Sequence, residues 1–195
     1  MLILVMSLAA AVQAGAGTEQ PDAGRAAVAQ AAPGLVAMPE VEILPYAVPG
    51  RTARAIRENM NRLRPAEPSG GRYDAMTQWR FSTRWRATGR RCDPATSEVK
   101  VTIQVTLPYL SEAGRLGRRD RELWERYYAA LVAHETNHAR IALAGAQQMQ
   151  AAMRGAPDCE ALASVSQAAA EAVSAASQAY DAQTGHGRRE GAVFP

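Results

Sequence analysis

Two histidines four residues apart, with a glutamate directly after the first, stand in the segment His134-Glu135-Thr136-Asn137-His138. On a helix, positions i and i+4 share a face, so both imidazoles can reach one Zn2+ ion. Glu135, one position on, is turned towards the water that the ion activates. The chemistry expected is hydrolysis: the ion lowers the pKa of water to about 7, and Glu135 takes the proton as the water attacks a carbonyl. A catalytic zinc takes three protein ligands and keeps one position open, so a third ligand must come from elsewhere. The extension that would supply a histidine further along the same helix is missing, because Ile141 and Ala144 occupy its glycine and histidine positions. Asp158 and Glu160 fall at a turn about 30 Å along the helix from the pair. Glu171 comes back level with His138 but on the face opposite the apolar stripe, towards solvent. His186 is the only other histidine, and Gly185 and Gly187 on either side let its backbone approach closely. It is the preferred third ligand. Asp181 is the alternative, as a ligand or as a carboxylate orienting a histidine. Tyr180 is a candidate donor to the transition state, with core packing as its competing role.

The elements that must position these residues follow from periodicity. Asp120 can cap a long helix running to about Met153 and ending at Gly155 and Pro157. On that helix Leu123, Tyr127, Ile141 and Gly145 share the side of His134 and His138, which places the histidines in the buried stripe. A second helix from about Cys159 to Tyr180 carries Leu162, Val165, Ala169, Val173, Ala176 and Tyr180 on one face. Strict alternation marks two strands: Trp79, Phe81, Thr83 and Trp85 against Arg80, Ser82, Arg84 and Arg86, then Val99 to Leu107 at odd positions. The short Gly- and Pro-containing link between them implies an antiparallel hairpin. Val41 to Leu44 reads as a short strand ended by Pro45, and Thr52 as the cap of a helix through Ile56, Met60 and Leu63. The fold expected is α+β and zincin-like: a small antiparallel sheet packed on the long HExxH helix and its antiparallel partner.

Composition sets the compartment and removes several classes. The chain has 195 residues and a net charge of +3, and Lys100 is its only lysine. That balance does not call for a nucleic-acid partner, and no apolar run reaches the roughly 20 residues of a membrane span. Residues 1–14 read as a signal peptide, with an apolar run to Val12 and small residues after it, although no Lys or Arg precedes the run. Residues 15–40, rich in Ala, Gly, Gln and Pro, read as a flexible mature N-terminus, and 41–195 as the metal-binding domain. Export to the periplasm or outside the cell agrees with two cysteines, Cys92 and Cys159, expected to bridge in an oxidising space.

The blocks Tyr46-Ala47-Val48-Pro49-Gly50, Trp79 to Trp85, Val101 to Leu107, His134 to His138 and Tyr180-Asp181-Ala182-Gln183-Thr184-Gly185-His186-Gly187 span the region after residue 41. Together they make the chain resemble a bacterial family of predicted secreted zinc-dependent proteases with an HExxH helix, classed as a domain of unknown function. The resemblance implies a zinc hydrolase acting on a peptide or protein substrate of the cell envelope. Its terminal Y-D-x-x-T-x-H-G pattern implies His186 as a ligand. Arg140 departs from the acidic residue expected of relatives at that place. Two other classes compete: a zinc-stabilised interaction module of the envelope, and a domain binding anionic polymers or lipid through Arg80, Arg84 and Arg86, which otherwise form a solvated strand face.

Overall fold

The computed structural model describes residues 19–66, 70–89 and 91–195. The expected signal peptide, 1–14, lies outside these. The elements in chain order are α1 (Glu19–Ala31), α2 (Pro33–Val36), β1 (Val41–Val48), α3 (Ala53–Leu63), β2 (Met76–Thr88), β3 (Arg91–Leu110), α4 (Arg118–Arg154) and α5 (Cys159–Thr184), with short 3-10 turns at Ala113–Arg115 and Arg188–Glu190.

The chain is α+β, with a three-stranded sheet in the order β1-β3-β2. β2 and β3 form the expected antiparallel hairpin, Trp79 facing Ile103 and Phe81 facing Val101. The alternation holds along β2, where Arg80, Ser82, Arg84 and Arg86 are exposed and Phe81, Thr83 and Trp85 between them are half-buried. Arg84 pairs across the strands with Glu98, which neutralises part of the arginine row. The sheet is mixed rather than wholly antiparallel, because β1 joins β3 in parallel, with Val41 opposite Ile103 and Val48 opposite Leu110. β1 also runs through Pro45. An edge strand tolerates a proline, since its missing N–H can face away from the ladder. β3 is central, and its odd positions Val101, Ile103, Val105 and Leu107 are fully or almost fully buried.

Residues 19–36, expected to be flexible, fold instead. Helix α1 packs on β1 and β3, and Val28, Ala32 and Leu35 belong to the main core. Their alanine-rich surroundings supply helix propensity without a sustained apolar period, and Gly24, which lies close against Tyr109 and Pro45, is buried with them. Asp120 does not cap α4, whose N-cap is Gly117. Its carboxylate accepts from the Ala53 N–H at 3.1 Å, so it serves the first turn of α3 alongside Thr52, which accepts from Ala55.

Helices α4 and α5 pack antiparallel, and α4 also covers β3 and β2. They approach closely at Gly145, where any side chain would overlap Val173. The Cys92–Cys159 disulfide ties the start of β3 to the first residue of α5, with Cα atoms 5.3 Å apart. It fastens the far end of the helical pair to the sheet, next to a second core of Met149, Met153, Ala156 and Leu162.

Candidate metal centre

The middle of α4 brings His134, Glu135 and His138 to the inner side of the helix, each no more than 5% exposed. Both histidines face α5 and the segment that follows it. His134 Nε2 and His138 Nε2 lie 3.1 Å apart, and each is 3.1 Å from Asp181 Oδ1. His134, His138 and Asp181 thus form a group whose ligand atoms all lie within 4.8 Å of one another. His186 stands beside this group, its Nδ1 at 3.5 Å from Asp181 Oδ1, with more than half of its side chain exposed. Of the two residues considered for third ligand, Asp181 reaches the centre and His186 flanks it.

The outer nitrogens fix the orientation of the inner ones. His134 Nδ1 lies 2.8 Å from Glu190 Oε2, and an ionised carboxylate only accepts, so Nδ1 carries a proton. His138 Nδ1 is held at 2.8 Å by Ser177 Oγ. With both outer nitrogens carrying the proton, two Nε2 lone pairs and a carboxylate oxygen would converge on one point. Such a cluster repels itself unless a cation or protons lie within it. Ligand bonds of 2.0–2.1 Å at tetrahedral angles put donor atoms about 3.3 Å apart, close to the spacing found. The donor set therefore fits a small divalent cation.

The same contacts move the titrations. Burial pushes the Asp181 carboxyl up, but hydrogen bonds from His134 and His138 outweigh it and hold Asp181 well below the usual carboxylate range. Burial pushes His134 down, while its bonds to Asp181 and Glu190 leave it raised overall. Glu135 is raised by burial, against the Thr77 hydroxyl, which donates to its Oε2 at 2.7 Å.

The remaining expectations can be placed in the same frame. Tyr180 stacks on His134 at 5.0 Å, and its hydroxyl donates to Glu190 Oε1 and accepts from Asn137 Nδ2, each at 2.8 Å. That hydroxyl proton is committed to Glu190 rather than aimed at a substrate. Glu171 is exposed and accepts from Gln167, as its helix face implied. Arg140, exposed on α4, donates to Asn137 at 3.2 Å. The Thr184–Gly187 turn brings His186 to the site: Gly185 is left-handed (φ 61°), and the His186 N–H returns to the Asp181 carbonyl at 2.9 Å. His186 itself has φ 55°, an uncommon conformation for a residue with a side chain. Three residues of the site carried no signal that was used: Thr77, Ser177 and Glu190. Ser177 precedes Asp181 by four positions on α5, a spacing that could have marked it.

The centre opens into a cleft of about 710 Å³, walled by β2 through Thr77 and Trp79, by α5, and by His186. Arg64, Arg72 and Arg188 stand around it, together with Asp74, which pairs with Arg64.

Residues 43–187 match the family described as "Bacterial protein of unknown function (DUF922)". The chain belongs to this family. The matched segment runs from β1 to the turn after α5 and so includes both histidines, Glu135, Asp181 and His186. No curated protein and no solved structure matches the chain.

Proposed function

We propose that this member of the family is an exported zinc-dependent hydrolase of zincin type that cleaves peptide or related amide bonds. Its zinc is held by His134, His138 and Asp181. The observation that carries the reading is the convergence of two imidazole Nε2 atoms and a carboxylate oxygen, each 3.1 Å from the others, one helical position from a buried glutamate. Zinc bound there would polarise a carbonyl and lower the pKa of water to about 7.

The chain's own residues do the rest. Glu135, its pKa raised by burial, accepts a proton from the attacking water and returns it to the leaving amine. Thr77 holds one carboxylate oxygen and leaves Oε1 for that transfer. Ser177 and Glu190 keep the two imidazoles aimed inwards. The cleft is walled on one side by β2, and peptide or protein of the cell envelope is the proposed substrate class. Export is supported by the disulfide, which persists in oxidising compartments. None of the described helices is long and apolar enough to cross a membrane.

Metal analysis by mass spectrometry on disulfide-bonded protein without a histidine tag tests the reading. About one zinc per chain is expected in the parent, lost in His134→Ala and Asp181→Ala and kept in His186→Ala. Zinc kept in Asp181→Ala but lost in His186→Ala would transfer the third position to His186. No bound metal after zinc is offered would overturn the proposal. Glu135→Gln should retain zinc and lose peptide cleavage; unchanged behaviour in the cell with zinc retained would instead indicate an interaction module.

A further inference from the structure

The segment after α5 turns back onto α4. We propose that residues 187–194 form a clasp that positions the ligand His134, with Phe194 as its anchor and Glu190 as its contact. The affinity part of this inference rests on the zinc reading above. The positional part does not.

Three fastenings carry it. At the near end, Gly187 is left-handed, and a Cβ there would come within 3.1 Å of His134 Cγ and 3.3 Å of its Nδ1, so the backbone lies directly against the imidazole. In the middle, the N–H groups of Glu190 and Ala192 both return to the Gly187 carbonyl at 3.0 Å, and Gly191 supplies a second left-handed bend at φ 94°. That tight turn delivers the Glu190 carboxylate to His134 Nδ1 on one side and to the Tyr180 hydroxyl on the other.

The far end is the strongest. Phe194 is 4% exposed. Its ring sits edge-on to Trp124 at 5.5 Å and against Tyr127 at 5.2 Å. The Arg57 guanidinium lies 5.6 Å from the ring centroid, and Arg57 Nη2 donates to the Phe194 carbonyl at 3.2 Å. Arg57 is in turn fixed by both oxygens of Asp74, which also accepts from the Tyr127 hydroxyl.

A turn this short does not hold itself in water, because a few hydrogen bonds do not repay the entropy of ordering its backbone. The aromatic pocket for Phe194 supplies the tie, seven residues beyond the matched family segment. Phe194 is therefore a positioning residue, acting through Glu190 on a histidine to which the structure gives it no hydrogen bond or ring contact. Loss of the anchor and loss of the contact must then be the same loss.

The test compares Phe194→Ala, Phe194→Leu, Glu190→Ala and the Phe194→Ala/Glu190→Ala double variant in the full disulfide-bonded protein. On metal-free protein, imidazole 15N NMR should show a His134 Nδ1–H protected from exchange in the parent, exposed in Glu190→Ala and Phe194→Ala, and protected to an intermediate degree in Phe194→Leu. With zinc, competition against a chelating dye should show affinity about 10–100-fold lower in Glu190→Ala, the loss typical when a histidine ligand's partner is removed. Phe194→Ala should fall in that range, and the double variant should lose no more than Glu190→Ala alone. Losses that multiply in the double variant, or a Phe194→Ala protein with unchanged Nδ1–H protection, would overturn the clasp. Should Phe194→Ala fail to fold, Phe194→Leu gives the same comparison at smaller amplitude. A protected Nδ1–H that depends on Phe194 in a protein that binds no zinc would sustain the clasp and refute the metal reading.

Discussion

Placing an alanine at Gly145 should disturb the metal centre from two helical turns away. Gly145 is buried on α4, about 10 Å along the axis from His138. Val173, which it meets, lies eight residues before Asp181 on α5. A methyl group at 145 would overlap Val173 Cγ2 and approach its Cβ to 3.4 Å. Valine cannot turn aside cheaply, because one χ1 rotamer dominates in a helix. The two helices must therefore part. Overpacking of this kind costs about 1–3 kcal/mol, offset by the gain of up to about 1 kcal/mol when alanine replaces glycine in a helix. The overlap with Val173 Cγ2 is severe enough to call for the upper end of that cost, so a net loss of about 2 kcal/mol should appear in urea unfolding of the metal-free protein. The displacement also carries Ser177 and Asp181 away from histidines they now meet at 2.8 and 3.1 Å, so zinc affinity should fall about tenfold or more. Adding Val173→Ala removes the obstructing methyls and should restore both quantities in part. Unchanged stability and affinity in Gly145→Ala, or a Val173→Ala loss that simply adds to it, would refute the argument that this contact sets the helix spacing.

Further outcomes follow from other contacts. Replacing Cys92 and Cys159 by serine opens a closed loop with a sequence separation of 67 and should destabilise the chain by about 4 kcal/mol in the chain-entropy picture; an unaltered urea midpoint would contradict it. Thr77→Val should leave zinc content intact while cleavage falls about tenfold or more, whereas Ser177→Ala should weaken zinc binding about tenfold and spare cleavage at saturating zinc. The reverse pattern would show that the supports of base and ligand have been exchanged here. Burial raises the hydroxyl pKa of Tyr46, Tyr127 and Tyr128, and Tyr180 is raised to about 12. A raised folded value means that stability is complete below the unfolded value near 10 and is lost as pH climbs above it. Tyrosinate absorbance from the buried residues should therefore appear with the loss of helical circular dichroism, in one step above pH 10. Titration of all six tyrosines near pH 10 with helices intact would refute the burial argument.

What could be read from the sequence was whatever repeats. The alternation of β2 and β3, the two long helices, the cysteine bridge and the solvent-facing Glu171 all follow from periods of two or 3.6 residues or from the chemistry of a paired thiol. Helix α1 was hidden because alanine carries helix propensity without an apolar stripe, and Val28 and Leu35 are too few to make one. The parallel pairing of β1 was hidden by Pro45, which reads as a strand end unless the strand is known to lie at an edge. Asp120 was assigned to its own helix because capping is a local rule, whereas the N–H it serves lies 67 residues earlier. Glu190 had no periodic neighbour, and its partner is 56 residues away. Asp181 and His186 were both legible from motif and spacing. The turn geometry separates their positions, pointing the carboxylate inwards and leaving the imidazole more than half exposed beside it.

The motif on α4 is served by two different walls. One residue of helix turns the chain by about 100°, which is enough to face His134 and His138 towards α5 and Glu135 towards β2. The sheet then holds Glu135, and α5 meets the two histidines. On β2, Thr77 lies two positions before Trp79 on the same face, so the alternation that half-buries Trp79 also delivers a hydroxyl to Glu135. On α5, Val173, Ser177 and Asp181 follow at intervals of four, forming one line down the helix. The first packs on Gly145, the second holds His138 and the third enters the centre. A single stripe thus passes from packing to the histidine cluster within two turns, and the spacing set by an apolar contact at one end becomes the spacing of Asp181 from the histidines at the other. Zinc held there would draw the same two helices together from the site end, so metal affinity and the docking of α5 should rise or fall as one quantity.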